Sequence, residues 1–287
     1  MKNSTPYKIV SKPELITPAR AVEILKRNTR NRNVRESYVA RLARDIKLDR
    51  WRLTPQGIIL SATGDLVDGQ HRLLAIVNAD TPVWMMVANV DASAAEIKEL
   101  MQITDIGAKR SVADSLTIHY GVKNAAVTAA IARTLATTCA GIGRQVFNTA
   151  DTVAVLGLYG KEIEETIATT HASREIINSA VMASFAFALP VDRSLIHQAM
   201  HKLTTGEDMR SGDPVLTLRN WLVKGAYRSM HTTLRNEVLI GATANAIFNA
   251  IHGNKITMQK TGPNGIEWLR SKQRTNIVRI REALGIK

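Results

Sequence analysis

The chain carries a single cysteine, Cys139, in 287 residues. One thiol excludes an intramolecular disulfide framework and any cysteine-rich zinc module. Long apolar runs are missing as well. The most apolar tract, Val181 to Pro190, is far shorter than the ~20 residues that span a bilayer. The stretch from Met1 to Pro13 has a lysine but lacks the apolar core of a signal peptide. No internal repeat and no low-complexity tract interrupts the sequence. The expectation is a protein without a membrane partner, in a reducing compartment and most simply a cytoplasm.

What the chain does have is positive charge. Lys and Arg number 38 against 25 acidic residues, a net +13 that favours a polyanionic partner. The excess is uneven. Residues 1–52 hold 14 basic and 5 acidic side chains, and residues 255–287 hold 8 and 2, while the long middle is net −2. The C-terminal excess reads either as a solvated tail or as an anion-binding segment.

Periodicity organises the rest. Thr17-Pro18 marks a helix start, followed by Ala21, Val22, Ile24 and Leu25. The polar stretch Asn28 to Asn33 is a loop. From Val34, apolar residues recur at Tyr38, Leu42 and Ile46, with Arg41, Arg44 and Lys47 roughly opposite, so a helix with a buried face and a cationic face is predicted. Gly57 to Leu60 and Leu66 to Asp68 flank the turn residues Thr63-Gly64-Asp65, which reads as a hairpin. His71 to Ala79 is helical in pattern, and Val83 to Val87 reads as a buried strand. Beyond residue 100 strand signals nearly vanish. Helices are expected over 125–139, 151–158, 163–177, 194–203, 216–229 and 236–251, with Asn124, Thr149 and Asp192 as caps. The fold class is therefore α+β: a small α/β domain over 1–108, an all-helical domain over 109–254 and a basic C-terminal segment over 255–287.

The sharpest chemistry lies in Asp68-Gly69-Gln70-His71-Arg72, between a predicted strand and a predicted helix. Gly69 permits a tight turn. The peptide N–H groups that follow face outward at a helix N-terminus, where an anion is favoured. Arg72 offers a planar fork of donors suited to phosphate. Asp68 could hold a metal, orient Arg72 or receive a hydroxyl. The plainer alternative is a structural ion pair between Asp68 and Arg72, with His71 capping the helix.

The order of helix, Asn/Arg-rich loop, amphipathic helix, Trp51, hairpin and Gly69-Gln70-His71-Arg72 resembles the N-terminal domain of the ParB/sulfiredoxin-like superfamily. Its members use this turn to hold nucleotide phosphates, ParB proteins with Gly-Glu-Arg-Arg and sulfiredoxin with Gly-Cys-His-Arg. A nearer resemblance is to phage and mobile-element proteins with the Asp-Gly-Gln-His-Arg signature. Those carry an Asn-Thr-Arg-Asn-Arg loop, here Asn28 to Arg32, and a later Thr-Asp-x-Gly-x-x-Arg, here Thr104 to Arg110. The likeness spans residues 14–115, with a looser echo in the helical part. It implies a ParB-like domain that binds a nucleotide or nucleic-acid phosphate through Gly69, Gln70, His71, Arg72, Arg30 and Arg32. A phage-encoded chain would act in the host cytoplasm. Gln70 departs from both patterns, standing where ParB has Glu and sulfiredoxin has its reactive Cys. Gln is neither base nor nucleophile, so phosphate binding carries over and catalysis does not.

Arg35, Arg41, Arg44 and Lys47 are the candidate nucleic-acid contacts, with DNA preferred to RNA, made mostly through the phosphate backbone. Asp105, Gly107 and Arg110 form a third candidate cluster, read equally as a turn with a local ion pair. An enzymatic alternative stays open: a nuclease, NTPase or phosphotransferase using a nucleoside triphosphate and Mg²⁺, with Asp68 or Asp105 on the metal and His71 as acid or base. A third reading is a structural or host-interaction protein without a ligand. No resident metal site is expected. His197 and His201 lie at i, i+4 but lack an intervening Glu, and Gly141-Ile142-Gly143-Arg144 follows no strand. Cys139 reads as core rather than nucleophile.

Overall fold

The computed structural model describes residues 7–28, 34–93, 95–97, 100, 111–143, 147–170 and 176–286. The chain divides into two units, Met1–Lys109 and Arg110–Lys287. The first is α/β and the second is helical, an α+β protein.

In the first unit the elements run β1 (Lys8–Ile16), α1 (Pro18–Lys26), α2 (Glu36–Lys47), β2 (Ile58–Ser61), β3 (Leu66–Asp68), α3 (Gln70–Ala79) and β4 (Val83–Asp91). The sheet order is β1-β4-β2-β3, with β4 antiparallel to β1 and parallel to β2. Helices α1 and α2 both pack on α3. Ile16, Ile24, Val39, Ile46, Ile58, Leu73, Ile76 and Met85 close the core between sheet and helices. Thr17 caps α1 by accepting the Arg20 N–H at 3.1 Å, and Pro18 follows at the position where a missing N–H costs nothing.

Two features of this unit differ from the sequence reading. The strand β1 comes before the first predicted element. It pairs along its whole length with β4, and most of its residues are exposed. The second difference is the buried face of α2, which is Val39, Ala43 and Ile46, while Val34 lies before the helix and Tyr38 stays exposed. A stripe at i, i+4, i+7 follows the helical period. Strict fourfold spacing drifts about 40° per step, so Val34 to Ile46 sweeps about 120° of the cylinder. The cationic face rotates with it: Arg41 and Arg44 are half-buried, and of the three predicted outward cations only Lys47 is exposed.

The second unit runs α4 (Val112–Tyr120), α5 (Ala125–Thr134) continuing into a π-helical turn (Leu135–Cys139), α6 (Thr149–Thr170), α7 (Ser179–Ala188), α8 (Arg193–Thr205), α9 (Pro214–Lys224), a 3₁₀ turn (Ala226–Ser229), α10 (Thr232–Ile251), α11 (Asn264–Lys272) and α12 (Arg274–Ala283). The apolar tract noted in the sequence is α7. It is buried on every side and packs on α5, α6 and α10. Residues 151–158 and 163–177, predicted as separate helices, belong largely to the single helix α6. Residues 255–287 are not a tail, because Ile266, Leu269, Ile280 and Leu284 enter the helical core. Arg270 from this segment donates to the carbonyls of Cys139 and Thr138 at 2.9 and 2.6 Å, capping the π-helical turn. Among the described residues no helix is long and apolar enough to cross a membrane.

Candidate functional site

Strand β3 delivers Asp68 to the sheet edge, and Gly69 turns the chain into α3. Gly69 sits at φ +111°, a left-handed conformation that favours glycine, and a Cβ there would press on Ile58 at 3.2 Å. The turn places the N-terminus of α3 at the end of the β2–β3 hairpin. Gln70 is the first helical residue, so its N–H has no partner within the helix. Its side-chain Oε1 is buried and without a partner.

Arg72 is anchored on one side and open on the other. Its Nη1 donates to the Gly57 carbonyl at 2.9 Å and lies 3.7 Å from Asp68 Oδ2. Both contacts use one nitrogen, so the rest of the guanidinium edge keeps its donors uncommitted among the described residues. The side chain retains 24% of its exposure. Gly57 makes the anchoring geometry feasible. A Cβ there would lie 1.7 Å from the Met86 carbonyl oxygen, so only glycine lets this segment run so close to β4. Asp68 spends one oxygen on the Gly69 N–H at 2.7 Å. The structural ion pair between Asp68 and Arg72 therefore forms, and it leaves donors over.

His71 takes a different place from the one expected. It is buried, its Nε2 accepts the Arg35 backbone N–H at 3.1 Å, and its ring stands edge-on to Tyr38 at 5.5 Å. An accepting Nε2 requires a neutral ring with the proton on Nδ1. His71 thus pins the start of α2 to the start of α3. Asp68 is likewise occupied by Gly69 and Arg72. Among the described residues no three His, Cys, Asp or Glu side chains gather into a group that could hold a metal ion.

The contact between His71 and Arg35 brings a second cation-bearing segment to the turn. Arg35 caps α2, and its side chain is exposed. Arg41 stacks over the Tyr38 ring at 4.7 Å and has its Nε buried without a partner. One chain of packed rings and cations therefore links α2 to the turn: Arg41, Tyr38, His71. Arg44 and Lys47 lie further along α2. Arg30, Arg32, Asp105, Gly107 and Arg110 fall outside the described residues.

The sequence marks Gly57 as the start of a strand but gives no sign that its carbonyl, fifteen positions from Arg72, anchors that guanidinium. Tyr38 is missed for another reason, because its apolar ring was assigned to the core.

The remaining candidates are structural. His197 and His201 meet different carboxylates, Glu165 at 3.1 Å and Glu207 at 3.8 Å. Burial pushes the Cys139 thiol up to about 12, which removes it as a nucleophile. No protein-family model, no curated protein and no solved structure matches this chain.

Proposed function

We propose that the α/β unit is a ParB-like module that binds a nucleotide or nucleic-acid phosphate at Asp68 to Arg72, in a DNA-associated role. The observation that carries this reading is the half-committed Arg72. One nitrogen is fixed by the Gly57 carbonyl, and the rest of the planar fork is free beside the start of α3, which no side chain caps. A guanidinium held in this way loses little freedom on meeting an anion, so its hydrogen bonds to phosphate come at low entropic cost. Gly69 keeps the turn free of a side chain. His71 contributes by holding the Arg35 backbone against the same turn, so Arg35 and Arg72 present charge from two segments.

Binding without rapid turnover is the consistent outcome. Gln70 cannot ionise, His71 is engaged as an acceptor, and Asp68 accepts from the Gly69 N–H and lies 3.7 Å from Arg72. The test is thermal unfolding of the whole chain against a panel of nucleoside triphosphates with Mg²⁺ and a mixed-sequence DNA duplex. A ligand at about a hundred times its Kd stabilises by about 2.7 kcal/mol. A rise in Tm with at least one of them, lost in Arg72→Ala, supports the reading. No rise with any of them overturns it.

A further inference from the structure

The helical unit holds a concave site of its own. A cavity of about 320 Å³ opens between α8, the start of α9 and the chain that leaves α10. Its apolar wall is Leu195, Ala199, Val215 and Ala250, and its rim carries Gln198, Arg210, Ser211 and Lys255.

The rim is built rather than accidental. The Ile256 N–H donates to the Gly212 carbonyl at 2.9 Å, and Thr217 Oγ1 donates to the Ile256 carbonyl at 3.2 Å. The Asp213 N–H donates to the Arg210 carbonyl at 2.9 Å. These bonds staple the loop before α9 to the loop after α10, so Arg210 and Lys255 are brought to one opening from separate segments. Gly212 sits at φ +87°, and a Cβ there would meet the Lys255 side chain at 3.3 Å.

The charges around the cavity are unequal in their commitments. Asp213 is its acidic member, and it is spent twice. It accepts from Lys202 Nζ at 2.9 Å and from the Val215 N–H at 2.8 Å. Arg210 and Lys255 have no acidic partner among the described residues, and neither the Gln198 amide nor the Ser211 hydroxyl has a protein partner there. The start of α9 contributes no donor of consequence, since Pro214 lacks an N–H and the next is taken by Asp213. Two uncommitted cations and two uncommitted neutral donors therefore surround an apolar wall whose acid is already satisfied.

The geometry points to a binding site for a small organic phosphomonoester: the dianion between Arg210 and Lys255, the compact apolar body against Leu195 and Ala250. The volume lies at the small end of ligand cavities, which run from about 300 to about 1,000 Å³. It therefore fits a monophosphate better than a triphosphate. Two cations from different loops suit a doubly charged head group better than a single carboxylate.

The experiment is thermal unfolding of the full chain with adenosine monophosphate, ribose 5-phosphate and phenyl phosphate, each paired with its uncharged parent. At least one phosphomonoester should raise Tm by about 2–4 °C, and its parent should not. The double variant Arg210→Ala/Lys255→Ala should lose this rise. Arg72→Ala should keep it, which separates this site from the one proposed in the α/β unit. In an amide-resolved NMR titration of the unsubstituted chain, the Ser211 and Gly212 signals should move with the same probe. That measurement stands even if the double variant unfolds. Three results overturn the inference: no rise with any of the three phosphates, an equal rise with the parents, or Ser211 and Gly212 signals that stay fixed.

Discussion

The imidazole Nε2 of His71 accepts the backbone N–H of Arg35 at 3.1 Å, joining the first residue turns of two helices that are far apart in sequence. The bond fixes the ring as neutral, because a protonated imidazole has a donor on both nitrogens and cannot accept. His71→Phe keeps an aromatic ring beside Tyr38 and removes the acceptor. The expected cost is about 1 kcal/mol of stability in denaturant unfolding, the usual net value of one such bond. Hydrogen exchange at the Arg35 amide should accelerate in the same variant. An unchanged Arg35 exchange rate would show that the bond is not maintained in solution.

Arg72 serves folding and binding together, so its variants are read by their ligand response. Arg72→Ala removes the hydrogen bond to the Gly57 carbonyl, a bond from a charged donor worth about 1.5–3 kcal/mol. The pairing with Asp68 adds less than about 1 kcal/mol, since the Asp68 side chain is 42% exposed. Arg72→Lys keeps the charge but not the fork. The expected order is therefore full nucleotide or DNA response in the unsubstituted chain, a weakened response in Arg72→Lys and none in Arg72→Ala. Thermal-shift titrations of the three proteins check it. An undiminished response in Arg72→Ala would move the phosphate site elsewhere.

Much of this site is written locally, and the part that is not depends on the sheet. Gly69 between a short strand and a helix announces the turn, because the left-handed conformation it needs is a local property. The Gly57 carbonyl that holds Arg72 is set by the register of β2 against β4, which no short window encodes. The strand β1 is hidden for a related reason. Ile9 and Val10 are adjacent rather than alternating, and Pro13 cannot donate to a ladder. An edge strand tolerates both, since its order comes from β4. Helix α6 runs through Gly157 and Gly160 and across the gap between 151–158 and 163–177. The helix persists because Val155, Tyr159 and Ile163 are buried along one side. Tertiary packing outweighs a propensity cost of about 1 kcal/mol per glycine.

Two buried acids make the chain sensitive to alkali. Burial raises the Cys139 thiol from 9.0 to about 12, and burial likewise raises the Tyr159 hydroxyl, which donates to Gln273 Oε1 at 3.3 Å. Each group holds its proton more tightly folded than unfolded. Stability from them is complete below the unfolded value and falls as pH climbs from about 9 towards 12 for Cys139. Denaturant midpoints should fall across that window, and Cys139→Ala should fall less steeply. At about pH 8 the thiol should resist alkylation in buffer and react in denaturant. Prompt labelling of the folded protein would contradict the burial.

The cations of α2 should divide by exposure. Lys47 is exposed, whereas Arg41 leans over the Tyr38 ring at 4.7 Å and is half-buried. Each phosphate neutralised on duplex DNA adds ~0.9 to the slope of log affinity against log salt. Lys47→Ala should therefore flatten that slope by roughly one unit if Lys47 touches phosphate, with no change in Tm. Arg41→Ala should act in the other direction, lowering stability by about 0.5–1 kcal/mol through the lost cation–π contact. Its effect on the salt slope should be smaller than that of Lys47→Ala, because a guanidinium stacked on a ring has less freedom to follow a phosphate. Arg35→Ala, at the exposed start of the same helix, should behave like Lys47→Ala, since only its backbone N–H is engaged by His71. Salt titrations of DNA affinity for the three variants, alongside their unfolding curves, distinguish a phosphate-tracking face from a solvated one. Equal slopes in all three variants and the parent would assign α2 to scaffolding alone and leave any DNA contact to other cations.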